Sequence, residues 1–308
     1  MNRWNSSLYL MLLSAFLVVS CKNDSNPLFK GNEPLELADK TYNNDPNPST
    51  ANGLIKEIMS ALGEKSLSKE KQSGLLEYGY NIANKHNISS REAAFLFPLV
   101  KNSVGEPGAE SKLFDLANLL KRLNKPTAAN TIYQGIIDNH PQFEKMDEVR
   151  SGLSEEIGSI DDYIVKLGEQ IFVEPDNAGV NRKASLAFVD ACEAYALAYP
   201  NSSKAPDNLF KAAEVAKSIR TFPKSLSIYD WIVESYPDYE KAATSLFLKG
   251  FIIENNLGDD EKAREIYNDF LAKYPTHDLA DDVQFLIENL GKTDEEILQM
   301  IESRRKDK

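Results

Sequence analysis

The sequence predicts an all-α solenoid of helical hairpins with additional helices at its N-terminal end, and two observations carry the prediction. One is recurrence: Tyr199-Pro200, Lys204-Ala205 and Leu209-Phe210 return 37 residues later as Tyr236-Pro237, Lys241-Ala242 and Leu246-Phe247. A third pair, Tyr274-Pro275, follows after 38 more, with Ala280 and Phe285 keeping the register. Self-similarity at a fixed period of about 20 to 50 residues marks stacked units, none of which buries its apolar face alone. The other is apolar spacing at helical intervals from Gly53 onward, with no β-type alternation of useful length ahead of the repeats.

Residues 1–20 read as an export signal: Arg3, an apolar run from Leu8 to Val19, then small Ser20. A twelve-residue run rises about 18 Å as a helix, short of a bilayer core of about 30 Å, so a lasting membrane span is the weaker reading. Val18-Val19-Ser20-Cys21 resembles the lipobox of bacterial lipoproteins, with Val18 where that family usually has Leu. The resemblance implies cleavage before Cys21 and lipidation of it, and several acyl chains anchor stably where one is marginal. Residues 21–50, rich in Asn, Asp, Pro and Ser, are expected to be a flexible tether.

Residues 51–109 are expected to form an N-terminal helical segment. Leu54, Ile55, Ile58, Met59 and Leu62 share one helical face, a second pattern runs from Ser68 to Asn84, and a third opens at Ser89 with Glu92 as capping-box partner.

From Glu110 a unit grammar is explicit. Residues 110–143 carry Leu113, Ala117, Ala129, Tyr133 and Pro141, with Pro126 in the inter-helix turn. Residues 206–239 carry Leu209, Ala213, Ser225, Tyr229 and Pro237. Residues 243–277 carry Leu246, Gly250, Ala263, Tyr267 and Pro275, with one residue inserted around Gly258-Asp259-Asp260. Gly inside a helix costs about 1 kcal/mol against Ala, so Gly250 implies close approach of a neighbouring helix. These positions resemble the tetratricopeptide repeat (TPR) family, whose unit is two antiparallel helices. The resemblance implies a right-handed superhelix in which helix A of each unit lines a concave groove.

Residues 144–205 fit that grammar less well. Ile157–Val173 and Arg182–Tyr199 are helical patterns joined by a long connection, with Phe188, Cys192 and Tyr195 at the repeat positions. A degenerate repeat is expected, or a hinge. Cys192 falls on the apolar face of its helix and reads as a small core residue. In residues 278–308, Leu279–Leu290 continues the pattern and Thr293 opens a capping helix with Glu296 as capping box.

Composition narrows the function. Lys+Arg 35 against Asp+Glu 47 gives a net charge of −12, a surface that repels nucleic-acid phosphates. His86, His140 and His277 are scattered without metal-ligand spacing, and no phosphate-binding glycine loop or nucleophile elbow occurs, so no metal, cofactor or catalytic residue is expected. Asp161-Asp162, Asp259-Asp260 and Asp281-Asp282 precede helical patterns and read as helix-start residues.

The TPR resemblance implies a partner-binding groove. Its fifth helix-A position is Phe114, Phe210 and Phe247, continued by Phe285, with Phe251 at the ninth and Lys121, Arg122, Glu214, Lys217, Glu254 and Asn255 as polar neighbours. An aromatic row with charged neighbours suits a peptide anchored by apolar side chains, and packing between repeats is the competing role. With the lipobox, the chain is similar to the TPR lipoproteins of outer-membrane barrel assembly and to the TPR proteins of the Tol-Pal system. The latter likeness covers Ala205 to Lys292, without their coiled-coil heptads. These resemblances together imply an exported, non-catalytic scaffold that binds a protein or peptide. It is expected to be held through Cys21 to a bacterial envelope membrane, the outer one. A lipoprotein capturing peptide or glycan nutrients is the alternative.

Overall fold

The computed structural model describes residues 26–64, 67–175, 179–293 and 295–296. The signal, Cys21 and the tail from residue 297 lie outside the described residues. Fourteen α-helices and no strands occur among the described residues, an all-α helical-hairpin solenoid, and contacts divide the chain at Ile88 and Ser89 into two compact units.

The first unit corrects the expected tether. A 3-10 turn, Pro27–Phe29, leads into α1 (Glu33–Asn44), α2 (Pro48–Leu62) and α3 (Lys69–Lys85). The residues that read as linker are helix caps: Asn32 accepts from the Leu35 amide at 3.1 Å, and Asn47 forms a capping box with Thr50. Helix α1 buries Leu35, Asp39 and Tyr42, with Asp39 accepting from the Tyr78 hydroxyl at 2.8 Å. A carboxylate in the middle of that buried stripe hides the periodicity from a hydrophobicity pattern. Phe29 is fully buried edge-on against Tyr78 at 5.2 Å. In α2, Leu54, Ile55 and Ile58 are buried as expected, whereas Met59 turns outward.

The second unit begins with α4 (Ser89–Asn102), which packs on α5 (Ala109–Arg122) and so joins the repeats. Glu92, expected to cap α4, is buried and holds Arg122 at 2.6 Å. Then come α6 (Pro126–Asn139), α7 (Met146–Gly152), α8 (Ile160–Gln170), α9 (Arg182–Ala198), α10 (Lys204–Ser218) and α11 (Phe222–Ser235). The unit continues with α12 (Ala242–Ile252), α13 (Asp260–Lys273) and α14 (Ala280–Asn289). Neighbours pack in series through α4, α5, α6, α9, α10, α11, α12, α13 and α14, with α7 on α6 and α8 on α9.

Two turns, repeated, set this geometry. Inside the hairpins a left-handed residue stands two places before helix B: Asn124 (φ 58°), Arg220 (φ 58°) and Gly258 (φ 68°). Between hairpins, the residue before each proline is kept out of the helical region by the proline ring. His140, Tyr199, Tyr236 and Tyr274 accordingly share one conformation, φ between −129° and −132° and ψ between 53° and 56°.

The residue expected as an insertion at Gly258-Asp259-Asp260 is absorbed earlier, as a π turn over Ile253–Leu257. The closing bond shows it: Lys125 and Thr221 amides reach five residues back, to Leu120 and Ala216, and Asp259 reaches six, to Ile253. Gly250 performs as expected, since a Cβ there would stand 2.6 Å from the Tyr267 ring. At the C-terminal end Thr293 and Glu296 form the expected capping box, with amide contacts of 2.8 and 3.3 Å.

Residues 144–205 are one unit with its first helix cut in two. Helix α7 stops at Gly152, where a Cβ would lie 2.7 Å from the Tyr133 ring, and buried Asn130 then ties Ser154 through its amide and hydroxyl. Helix α8 restarts at a Ser159 cap, and α9 approaches α6 so closely that a Cβ on Gly135 would sit 2.4 Å from that of Ala198. Cys192 is fully buried in α9, and burial pushes its thiol well above the usual range.

Candidate functional site

The helix-A face carries the aromatic row, and three of its rings each meet the tyrosine of their own hairpin. Phe114, Phe210 and Phe247 lie 6.3, 6.1 and 6.3 Å from Tyr133, Tyr229 and Tyr267 of their own hairpins. Those tyrosine side chains are buried, and each hydroxyl donates to helix A: to Asn118 at 2.6 Å, to Glu214, and to Glu254 at 2.6 Å. Burial raises all three hydroxyls, Tyr133 to about 12, so they stay protonated donors at neutral pH.

A lysine from the following unit covers two of the rings. The Lys145 Nζ stands 5.3 Å from the Phe114 centroid and the Lys241 Nζ 5.2 Å from that of Phe210. In the last hairpin, counting the extra residue, Leu279 takes that position, and Phe247 has Phe251 beside it at 6.0 Å.

The expected open row is therefore corrected at its N-terminal end. Phe114 is 5% exposed, wedged also against Phe143, and is core rather than groove. Phe210 and Phe247 are half-buried, and Phe251 and Phe285 are exposed. The polar neighbours are engaged within the chain: Lys121 donates to the Gly152 carbonyl at 2.8 Å, Arg122 to Glu92, and Lys217 to Glu214 at 2.8 Å. Glu254 holds the Tyr267 hydroxyl and Asn255 donates to the Phe251 carbonyl at 3.1 Å.

A larger apolar opening lies beside the interrupted unit of residues 144–205. Helices α8 and α10 both lean on α9 and leave a groove of about 580 Å³ between them, with Phe188 at its base. Val165 is 57% exposed and Phe172, just past the end of α8, 71%. Ile164 and Ile171 are the buried side of the same segment, so α8 is apolar on more of its circumference than α9 covers. That breadth, Ile164, Val165, Leu167, Ile171 and Phe172 within nine positions, is the signal in the sequence that could have found it.

The rim is polar. Lys204 holds Asp161 at 2.6 Å and the Tyr195 hydroxyl donates to the same carboxylate at 3.0 Å, which keeps Asp161 below the usual carboxylate range. Asp207 accepts from Tyr239 at 2.6 Å, and Glu169 and Lys211 complete the edge. An apolar opening with a charged rim has the chemistry to take up apolar side chains and orient them by charge. Among the described residues no group of three or more His, Cys, Asp or Glu is placed to hold a metal ion, and no helix is long and apolar enough to cross a membrane.

Compared with known proteins, residues 113–142 and 244–277 match the tetratricopeptide repeat family. No curated protein matches the chain. Among solved structures it is similar to a chain of the TPR2AB-domain:pHSP90-complex of yeast Sti1, at 12% identity over 84% of this chain and 98% of that one, with a TM-score of 0.28. The chain thus carries tetratricopeptide repeats, in the hairpins α5–α6 and α12–α13.

Proposed function

We propose that this protein is a non-catalytic scaffold, anchored to a bacterial envelope membrane through lipid on Cys21, whose α8–α10 groove receives an amphipathic helix of a protein partner. The observation that carries the reading is the exposure of Val165 and Phe172 over an apolar base, a surface that a helix laying down its apolar face would remove from water. The repeats support a partner-binding role, and the net charge of −12 favours a partner whose helix is basic on its flanks.

The test is a photo-crosslinking amino acid at position 172 in envelope-bound protein, with position 251 as a second probe. One partner crosslinked at 172, and lost from gentle co-purification in Val165→Ser/Phe172→Ser with helicity and melting retained, supports the groove. Crosslinking confined to 251 moves the contact to the helix-A face. A partner retained by both the groove variant and Phe251→Ala removes the reading. Cys21→Ser is expected to release the chain from the membrane fraction; unchanged fractionation refutes the anchor.

A further inference from the structure

In the second unit, sharing no lining residue with the α8–α10 groove, lies a partly enclosed cavity of about 320 Å³. Helix α4 forms one wall because it reaches α11: Phe97 meets Trp231 edge-on at 5.9 Å and Lys101 pairs with Glu234 at 3.3 Å. The void exists because small side chains face it from three helices, Ala93 and Ala94 on α4, Ala128 on α6 and Ala194 on α9. Leu116, Leu120, Ile132 and Leu197 give it an apolar lining.

Four charges border this apolar space. Lys125, directly before α6, holds Asp190 at 2.9 Å, and Lys224 of α11 holds both oxygens of Glu193 at 3.0 Å, the two acids standing one turn apart on α9. Glu193 is 4% exposed, and burial raises its carboxyl above the usual range while Lys224 and Lys125 oppose that. Glu193 is buried and Asp190 nearly so, while the paired Lys125 and Lys224 are about two-fifths exposed, so a molecule entering the alanine-lined void meets charges of both signs at its rim.

The electrostatics restrict its type. A lone carboxylate drawing Lys224 away would strand the buried Glu193, and a lone amine would strand a lysine. A head group carrying one charge of each sign meets a cation and an anion at the rim without stranding either pair, and keeps the cluster neutral. We propose that this cavity binds a free α-amino acid with an apolar side chain, the carboxylate at Lys125 or Lys224, the ammonium at Asp190 or Glu193, and the side chain among the alanines. The volume, at the low end of the roughly 300 to 1,000 Å³ of small-molecule sites, restricts the side chain to about the size of leucine or phenylalanine.

Calorimetric titration of the full chain with L-leucine and L-phenylalanine tests this, with N-acetyl-L-leucine and L-leucinamide as probes lacking one charge each. Saturable binding of one amino acid per chain, weakened about tenfold or more by either blocking group, is expected. Ala93→Phe, at a half-buried wall position, abolishes it, and Glu193→Gln weakens it about tenfold, while Phe172→Ser leaves it unchanged. Should Glu193→Gln fail to fold, Ala93→Phe decides. No binding of either amino acid, equal binding of the blocked forms, or undiminished binding by Ala93→Phe overturns the proposal.

Discussion

The hairpins of residues 206–277 and the interrupted unit of residues 144–205 are built on similar spacing and end differently. In the regular hairpins the helix-A phenylalanine leans on a buried tyrosine, and over Phe210 the next unit lays the Lys241 ammonium. The apolar surface of Phe210 is largely taken up by its own hairpin and its neighbour, and among the regular hairpins Phe251 is the ring left exposed. In the interrupted unit, helix A stops at Gly152 and resumes as α8, which packs on α9 and leaves Val165 and Phe172 uncovered. The break in helix A leaves more apolar surface open than the unbroken hairpins do.

The comparison can be broken first at Phe114. If regular units consume their own apolar surface, Phe114→Ala is a core deletion and costs about 3 to 5 kcal/mol by denaturant unfolding. A cost near that of a surface change would return Phe114 to the groove. Next in size is Gly250→Leu, which drives a side chain into the Tyr267 ring and costs about 1 to 3 kcal/mol. Gly152→Leu meets the Tyr133 ring in the same way, but at the end of α7, where the chain can yield. Its loss in melting temperature is expected to be the smaller of the two, and equal losses would show the interrupted unit to be as rigid as the regular ones.

Tyr133→Phe removes the hydroxyl that holds Asn118 and should cost about 0.5 to 1.5 kcal/mol, read from the unfolding midpoint. At the groove, Phe172→Ser is expected to change stability by no more than about 0.5 kcal/mol, since that ring is largely in water already, while partner binding falls. The smallest effect is at the groove rim. Lys204 holds the folded-state pKa of Asp161 below its unfolded value, so the stabilisation is fully present above pH about 4 and fades as pH falls through the lower folded value. Melting of the native protein and of Asp161→Asn should therefore begin to draw together below pH about 4 and converge once pH has passed the lower folded value. A gap that persists into strong acid would deny the ion pair its part.

Much of the repeat architecture was legible because it rests on rules that act along the chain. Pro141, Pro200, Pro237 and Pro275 forbid helix at the residue before them, and the four turns came out alike. Gly250 announced a close ring because glycine inside a helix needs a reason. The helix at Glu33–Asn44 was not legible, since the Asn residues that cap it and the Asp39 inside it are linker residues by composition. The candidate site divided in the same way. Phe114, Phe210 and Phe247 were identifiable as one series by register, but register does not say whether a lysine 31 positions on lies over the ring.

The class of fold, the period of its units and the positions where helices cross closely follow from local backbone sterics and from side-chain volume at fixed spacing, and so could be read along the chain. Which apolar faces stay open is settled by packing in three dimensions. Exposure of Val165, Phe172 and Phe251, and the void between α4 and α9, depend on what packs against a helix from elsewhere in the chain, and spacing along the chain does not specify that.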